Sequence, residues 1–328
     1  MSRGFKNKVT VLRDCKSYFE KIGSNSAVCM GNFDGVHLGH VKLIETLISI
    51  AKKEGVLSLV LTFEPHSREV ITGKKVKRLT PAEEKVNLIK TLSPDVVVVH
   101  TFSRELASYK AERFFVEILV GMLKASVIVL GPDSKFGMGG AGDRNLLEQL
   151  GSKYAVKVID VPPFEIDDVI VSSSIIKDLL FAGKVSEVPK FLGRYYQISG
   201  KVIRGTGTGT NMGYPTANLE PDEILLPLEG VYAGAGCVED KVYPAAIHIG
   251  ERKTFKGSFT VEVHLIGREK STPLYGETLK ISFFERLRDI KCFENMEQLK
   301  SSIENDVKLA SNLFLSIVKK DYTSLKIL

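Results

Sequence analysis

Two histidines three positions apart, His37 and His40, lie in the decapeptide Gly31-Asn32-Phe33-Asp34-Gly35-Val36-His37-Leu38-Gly39-His40. An apolar run, Ala27-Val28-Cys29-Met30, precedes it and a stretch of helical periodicity follows, so it reads as a crossover from strand to helix. Such turns bind phosphate: glycines let the backbone approach a ligand, and a helix N-terminus offers unpaired N–H groups and the positive end of a dipole. Two histidines at this spacing can face one bound group. Zinc is the competing chemistry, but the pair has no third ligand nearby and a zinc site needs at least three.

Three further clusters could do chemistry. Val171-Ser172-Ser173-Ser174-Ile175-Ile176-Lys177 sets hydroxyls and a cation before an amphipathic helix containing Leu179 and Leu180. That suits the outer phosphates of a nucleotide, and equally an ordinary serine cap. Gly205-Thr206-Gly207-Thr208-Gly209 precedes Gly213-Tyr214-Pro215-Thr216-Ala217-Asn218-Leu219. No helix follows these glycines as a dinucleotide fingerprint requires, and no Walker A motif exists, so the glycines alone mean little. Phe259 to Leu265 alternates apolar and polar residues strictly, which puts Thr260, Glu262 and His264 on one face of a strand.

The elements that must position these groups fall into two kinds. Apolar Ile44, Leu47, Ile48 and Ala51 recur at helical spacing after His40, with Lys52 and Lys53 in the last turn and Gly55 as C-cap. Strands are expected over 56–63, 96–99, 127–130 and 156–161, with helices over 81–91, entered through Thr80, and over 111–122. Strands alternating with helices imply a doubly wound parallel sheet that binds ligands at the carboxyl ends of its strands. Near residue 185 the character changes. Short segments over 198–203, 231–238, 242–249, 259–265 and 278–284, separated by Gly, Pro and charged turns, predict an antiparallel barrel. A closing helix is capped by Asn295, with Gln298 three residues on and Met296, Leu299, Ile303, Val307 and Ala310 as its buried stripe.

Composition bounds the rest. At 328 residues and 44% hydrophobic content the chain holds two domains more readily than one. The excess of 45 basic over 39 acidic residues, with no run of six like charges, suits anionic small ligands and lacks the concentrated basic face of a nucleic-acid binder. Apolar runs such as Val96 to Val99 have strand length and cannot span a bilayer, and the N-terminus lacks a signal-peptide core, which predicts a cytoplasmic protein without a membrane partner. Cys15, Cys29, Cys237 and Cys292 are scattered, as expected for reduced, mostly buried thiols.

The decapeptide, as G-x-F-D-G-x-H-x-G-H, resembles the motif of the HxGH nucleotidyltransferases, specifically the bifunctional bacterial riboflavin kinase/FAD synthetase family. Residues 213 to 219 are similar to the G-[YF]-P-T-A-N-L motif of riboflavin kinases, and the likeness runs from about residue 26 to 308. The resemblance implies an HxGH nucleotidyltransferase, Rossmann-like α/β domain over 1–185 and a small antiparallel β-barrel kinase domain with a C-terminal helix over 186–328. It implies that riboflavin and ATP give FMN at the barrel, and that FMN and ATP then give FAD and pyrophosphate at the first domain. In the first domain it implies His37 and His40 as catalytic donors, and Gly31, Asn32, Phe33, Asp34, Gly39, Ser172, Ser173, Ser174 and Lys177 as ATP-binding. Phe63, Pro65 and His66 of a T-F-x-P-H stretch, with Asp133 and Phe136 of the Gly131 to Gly137 loop, would hold the flavin. In the barrel it implies Gly205, Gly207, Gly209, Gly213, Pro215, Thr216 and Asn218 around ATP, with Thr216 and Asn218 reaching Mg²⁺ as hard oxygen ligands. Glu262 would accept the ribityl proton, and Tyr232, Arg288 and Phe293 would hold the flavin. Pro132 and Ser134 stand where aromatic residues are expected, Lys177 where arginine, His248 where asparagine and Lys253 where proline. A version with one site silenced, or a flavin- or nucleotide-responsive binding protein, would share these motifs.

Overall fold

The computed structural model describes residues 8–132, 134–205, 212–239, 241–251, 259–269 and 274–320. The chain divides into two compact units, Met1–Val171 and Ser172–Leu328.

The first unit carries a six-stranded parallel sheet in the order β1-β4-β3-β2-β5-β6. Its strands are β1 (Thr10–Leu12), β2 (Ser26–Gly31), β3 (Leu57–Glu64), β4 (Val96–Thr101), β5 (Ala125–Leu130) and β6 (Lys157–Asp160). Their near-continuous apolar runs follow from burial on both faces. Val28, Leu59, Leu61, Val98 and Ile128 point into one core cluster, while Ala27, Cys29, Val60, Val97 and Val127 point into the other. Helices α1 (Cys15–Lys21), α2 (Leu38–Glu54), α3 (Ser67–Thr72), α4 (Ala82–Thr91), α5 (Arg104–Ala107), α6 (Ala111–Arg113) and α7 (Arg144–Tyr154) occupy the connections. Strand order reverses between β2 and β5, so the crevice beyond their carboxyl ends is the switch point where such sheets bind ligands. The decapeptide leaves β2 there, and the 131–137 loop leaves β5 there. A two-stranded hairpin, β7 (Glu165–Ile166) and β8 (Val169–Ile170), ends the unit.

Two expectations need correction. Helix α4 begins after Pro81, which occupies the cap position without a side-chain cap bond, so Thr80 is not the entry residue. Proline's fixed φ suits the first helical positions. The segment expected as one α-helix over 111–122 winds as α only to Arg113 and continues as a π-helix, Phe114–Met122, closed by the Leu123 N–H on the Ile118 carbonyl five residues back.

The second unit opens with α8 (Ser173–Phe181) and α9 (Val188–Leu192) and continues into a closed antiparallel barrel, β10-β13-β12-β11-β14-β9. Its strands are β9 (Tyr196–Ile203), β10 (Ala217–Pro221), β11 (Gly230–Val238), β12 (Lys241–Glu251), β13 (Phe259–Leu265) and β14 (Thr278–Arg288). Ile247, Val261, Val263, Ile281 and Phe283 fill the interior. In β13 the alternation holds: Val261, Val263 and Leu265 are buried, while Thr260, Glu262 and His264 are half-buried on the opposite face. Strand β10, read from sequence only as a motif, is the stave that closes the barrel between β9 and β13.

Helix α10 (Met296–Lys320) packs on β11, β12 and β14. The Asn295 side chain caps it by accepting the Gln298 N–H at 2.9 Å. The expected stripe is only partly right, because Met296 is 58% exposed and the fully buried positions are Asp306 and Ala310. The buried face thus begins beyond the first turn and is anchored by an ion pair rather than by Met296.

Candidate functional site

The loop between β2 and α2 is wound tightly. Phe33, Gly35 and Val36 all take positive φ (51°, 87° and 42°), costly for the two non-glycine residues. Their side chains offset the strain by burying almost fully, Phe33 at 2% and Val36 at 3% exposure. Two staples fix the loop to the chain beyond β3. The Asn32 amide donates to Ser67 Oγ at 2.8 Å and accepts the Ser67 N–H at 3.2 Å, while the Asp34 carboxylate accepts the Leu79 N–H at 2.7 Å. Phe33 and Asp34, expected to touch ATP, thus also support the loop.

What the loop presents is the histidine pair. His37 is the N-cap of the seventeen-residue α2, its Nδ1 accepting the His40 N–H at 3.4 Å, so Nε2 carries the proton of the neutral ring. The two imidazoles stack with centroids 3.6 Å apart, and the Phe33 ring meets His40 edge-on at 5.1 Å. Gly39 makes the stack possible, since a Cβ there would lie 3.2 Å from the His37 ring and 3.3 Å from the Val171 carbonyl. Burial pulls the His40 imidazole well below its ordinary value, and His37 and Lys85 push it further. His40 Nδ1 has no hydrogen-bond partner among the described residues, so no described protein group fixes its tautomer. Burial thus favours the neutral form of His40, while His37 Nδ1 is occupied by the His40 N–H.

Behind the pair lies a charged network that the sequence did not single out. Lys85, 5% exposed, donates to the Phe63 carbonyl at 3.1 Å, and its Nζ stands 3.9 Å from Glu64. Arg78 donates to both Glu64 oxygens, at 2.7 and 2.9 Å, and also to Glu69. These bonds fix the turn after β3. In sequence, Arg78 is one of several cations over 74–78, and nothing local marks it.

The expected flavin contacts divide. Pro65 is exposed and follows a cis peptide bond, and His66 caps α3 by accepting the Arg68 N–H at 3.2 Å. Phe63 is buried against Phe102, and Phe136 is buried against Phe114, so both are corrected to core residues beneath the surface. Phe136 also pairs through its backbone with Gly142, closing the base of the Gly137 to Gly142 loop. Asp133 lies outside the described residues. Ser172 is the N-cap of α8, its hydroxyl accepting the Ile175 N–H at 3.4 Å; Ser173, Ser174 and Lys177 lie in the first turn and a half of that helix.

The barrel brings together a second set. Strand register sets Asn218 of β10 opposite Glu262 of β13, and Glu262 opposite His248 of β12. Opposed residues share a face, so the three form one lateral row. A Cβ on Gly205 would collide with the Asn218 carboxamide, so that amide lies directly over the Gly205 backbone. His264, two residues from Glu262, has Nδ1 at 2.8 Å from the Pro215 carbonyl and meets the Tyr214 ring edge-on at 5.5 Å. It thereby ties the Gly213 to Thr216 turn to β13, a role visible in sequence only as a polar position on the Glu262 face. Gly213 takes φ 90° in that turn, and Thr216 is half-buried. Gly207, Gly209 and Lys253 lie outside the described residues.

Arg288, at the end of β14, grips buried Asp306 of α10 through Nε and Nη2 at 2.8–3.1 Å and lies 5.7 Å from the Phe293 ring. Tyr232 requires correction: it is fully buried in the barrel, edge-on to Phe283, with its hydroxyl on the Leu228 carbonyl. It cannot offer a face to a ligand.

Among the described residues no group of three or more His, Cys, Asp or Glu is placed to hold a metal, and no helix is long and apolar enough to cross a membrane. The four cysteines are free, Cys15 and Cys29 buried, Cys237 half-buried and Cys292 exposed.

Comparison with known proteins bears on both units. A family model described as FAD synthetase matches residues 19–175, and one described as riboflavin kinase matches residues 192–314. A bifunctional riboflavin kinase/FMN adenylyltransferase of Buchnera aphidicola (subsp. Schizaphis graminum) is 34% identical over 301 residues, covering 90% of this chain and 96% of its own. The proteins of that description from Escherichia coli K12 and Bacillus subtilis 168 are each 32% identical, covering 87% and 90% of this chain and 91% and 95% of their own. A solved structure from Streptococcus pneumoniae, described as a macrolide-efflux protein, is similar at a TM-score of 0.81 and 28% identity, over 93% of this chain and 99% of that one.

Proposed function

The chain belongs to the bifunctional riboflavin kinase/FMN adenylyltransferase family, and from that premise we propose how its own residues divide the work. The activity is flavin cofactor biosynthesis: riboflavin and ATP yield FMN and ADP, then FMN and ATP yield FAD and pyrophosphate. Adenylylation is assigned to residues 1–185 and phosphorylation to 186–328.

In adenylylation, an FMN phosphate oxygen attacks the α-phosphorus of ATP while the bond to pyrophosphate breaks. No covalent nucleophile is needed, so the protein's task is to position the phosphates and to meet the charge that develops on them. His37 Nε2–H and the His40 ring donate to the phosphate oxygens, and Gly31 and Gly39 let the backbone approach. Asn32, Phe33 and Asp34 hold the loop. Pro65 and His66 lie toward the flavin. The stacked pair at the N-terminus of α2 is the observation that carries this reading.

In phosphorylation, Glu262 accepts the ribityl 5′-hydroxyl proton as the oxygen attacks the γ-phosphorus and ADP leaves. Thr216 and Asn218 supply oxygen donors of the kind magnesium takes. The Asn218 amide is set over Gly205 and the Pro215 carbonyl before Thr216 is held by His264, so the hard oxygen donors of this turn suit Mg²⁺. The ion supplies charge neutralisation on the ATP phosphates. Gly205 and Gly213 shape the turn, while Arg288 and Phe293 stand toward the flavin. ATP as co-substrate and four free thiols fit a cytoplasmic setting.

The test is chromatographic separation of flavins after incubation with riboflavin, ATP and Mg²⁺. FAD formed through FMN is expected. FMN alone would mark a single-activity version, and unchanged riboflavin would refute the assignment. Glu262→Gln should slow FMN formation severely, to a small residual rate, and leave conversion of added FMN to FAD intact.

A further inference from the structure

His248 stands where the resemblance leads one to expect asparagine, and the reaction above has given it no role. It lies directly across from Glu262 in the β12–β13 register, so their Cβ atoms are about 5 Å apart on one face. Glu262 has Asn218 on its other side, so the proposed base is flanked by one residue on each neighbouring strand. A Cβ on Gly250 would meet His248 Cε1 at 2.8 Å and Ile290 Cδ1 at 3.2 Å, so the ring lies over the Gly250 backbone with Ile290 beside it.

We propose that His248 is a positioning residue of the phosphorylation site, its ring N–H holding the Glu262 carboxylate toward the ribityl hydroxyl. The inference rests on the assignment of Glu262 made above. Charged groups facing the ring come from four directions: Glu262 on β13, Arg288 on β14, Glu229 before β11 and Asp306 on α10. Arg288 is committed to Asp306, which leaves it poorly placed to serve Glu262. Burial pulls the His248 imidazole below its ordinary value, and Arg288 adds to that against the opposite pull of the acids. The ring is then neutral around pH 7, one nitrogen donating and the other accepting. A neutral donor orients a carboxylate without the loss of basicity that a lysine or arginine would impose. Asparagine, the residue the motif leads one to expect here, offers a neutral N–H in the same way. This explains how histidine can replace it beside a catalytic base.

The test compares His248→Leu, His248→Asn, Glu262→Gln and the double variant Glu262→Gln/His248→Leu, each assayed with riboflavin, ATP and Mg²⁺. His248→Leu should lower kcat for FMN formation by about 10- to 100-fold through misplacement of the base, with KM for ATP little changed. His248→Asn should return most of that loss. The double variant should be no slower than Glu262→Gln alone, because a residue acting through Glu262 has nothing left to position. Conversion of added FMN to FAD by the same preparations shows that the chain is intact. The proposal is overturned if His248→Leu phosphorylates riboflavin at the parental rate, if asparagine is as poor as leucine, or if the double variant loses the product of the two single effects. Unimpaired phosphorylation by Glu262→Gln would instead overturn the assignment of the base itself.

Discussion

Replacing His37 by asparagine separates its two jobs. His37 Nδ1 accepts the His40 N–H at the start of α2, and Nε2–H is the donor proposed for phosphate. Asparagine is among the best N-cap residues, so His37→Asn keeps the first bond, but its shorter side chain cannot place a donor where Nε2 stood. Loss of one preorganised donor costs about 10²- to 10³-fold in turnover, or roughly 3–4 kcal/mol of transition-state stabilisation. Stability should change by no more than about 1 kcal/mol, since the cap is retained. His37→Ala should show the same kinetic loss and, in addition, the roughly 0.5–2 kcal/mol that a missing cap costs. The assay is FAD formation from FMN, ATP and Mg²⁺, with thermal unfolding of each variant and FMN formation from riboflavin measured on the same preparations. Retention by His37→Asn of FAD synthesis near the parental rate would refute the donor role. Parallel loss of FMN and FAD formation would refute the division into two sites.

Acid should destabilise the first unit more steeply than the second. Burial holds His40 and His100 below their ordinary values in the first unit and His248 in the second, so below about pH 6.5 the unfolded chain takes up protons that the folded chain refuses. Stability then falls with pH by up to about 1.4 kcal/mol per unit for each such histidine, a slope that urea unfolding between pH 7.5 and 5.5 would reveal; flat stability across that window would contradict the burial argument. Asp306→Asn leaves the Arg288 guanidinium without its carboxylate in a mostly buried place, and should cost about 3 kcal/mol while weakening FMN formation and sparing FAD formation from FMN. Denaturant unfolding together with the two assays checks both parts, and an unchanged unfolding midpoint would show that the pair does not anchor α10.

Local chemistry was legible in the sequence, and long-range support was not. The period of Ile44, Leu47 and Ala51, the glycine at 55 and the alternation through Glu262 each depend on neighbours within one element, and each reappears in α2 and β13. Asn32 and Ser67 are 35 residues apart, Asp34 and Leu79 are 45, and His264 and Pro215 are 49. No spacing rule within a motif reveals such partners, because they meet only when the sheet or the barrel closes. The same limit explains why Phe33, Phe63, Phe136 and Tyr232 read as ligand contacts. A resemblance supplies an aromatic ring in a motif but not which way its strand or loop turns it.

The residues that give the decapeptide its recognisable pattern therefore serve two ends. Gly39, His37 and His40 are the residues proposed to meet the phosphates; Asn32, Phe33, Asp34 and Val36 hold a backbone that would otherwise relax. Two non-glycine residues with positive φ cost on the order of 1–3 kcal/mol each, and burying Phe33 and Val36 returns about 1.5–3 kcal/mol apiece. The loop is thus close to balanced, and its shape depends on those side chains staying buried. Small changes at Phe33 or Val36 should disorder the histidine stack without removing a single group that meets ATP. A motif of this kind is better understood as a folded object than as a list of contacts, which is why one of its buried residues can matter to turnover as much as an exposed one.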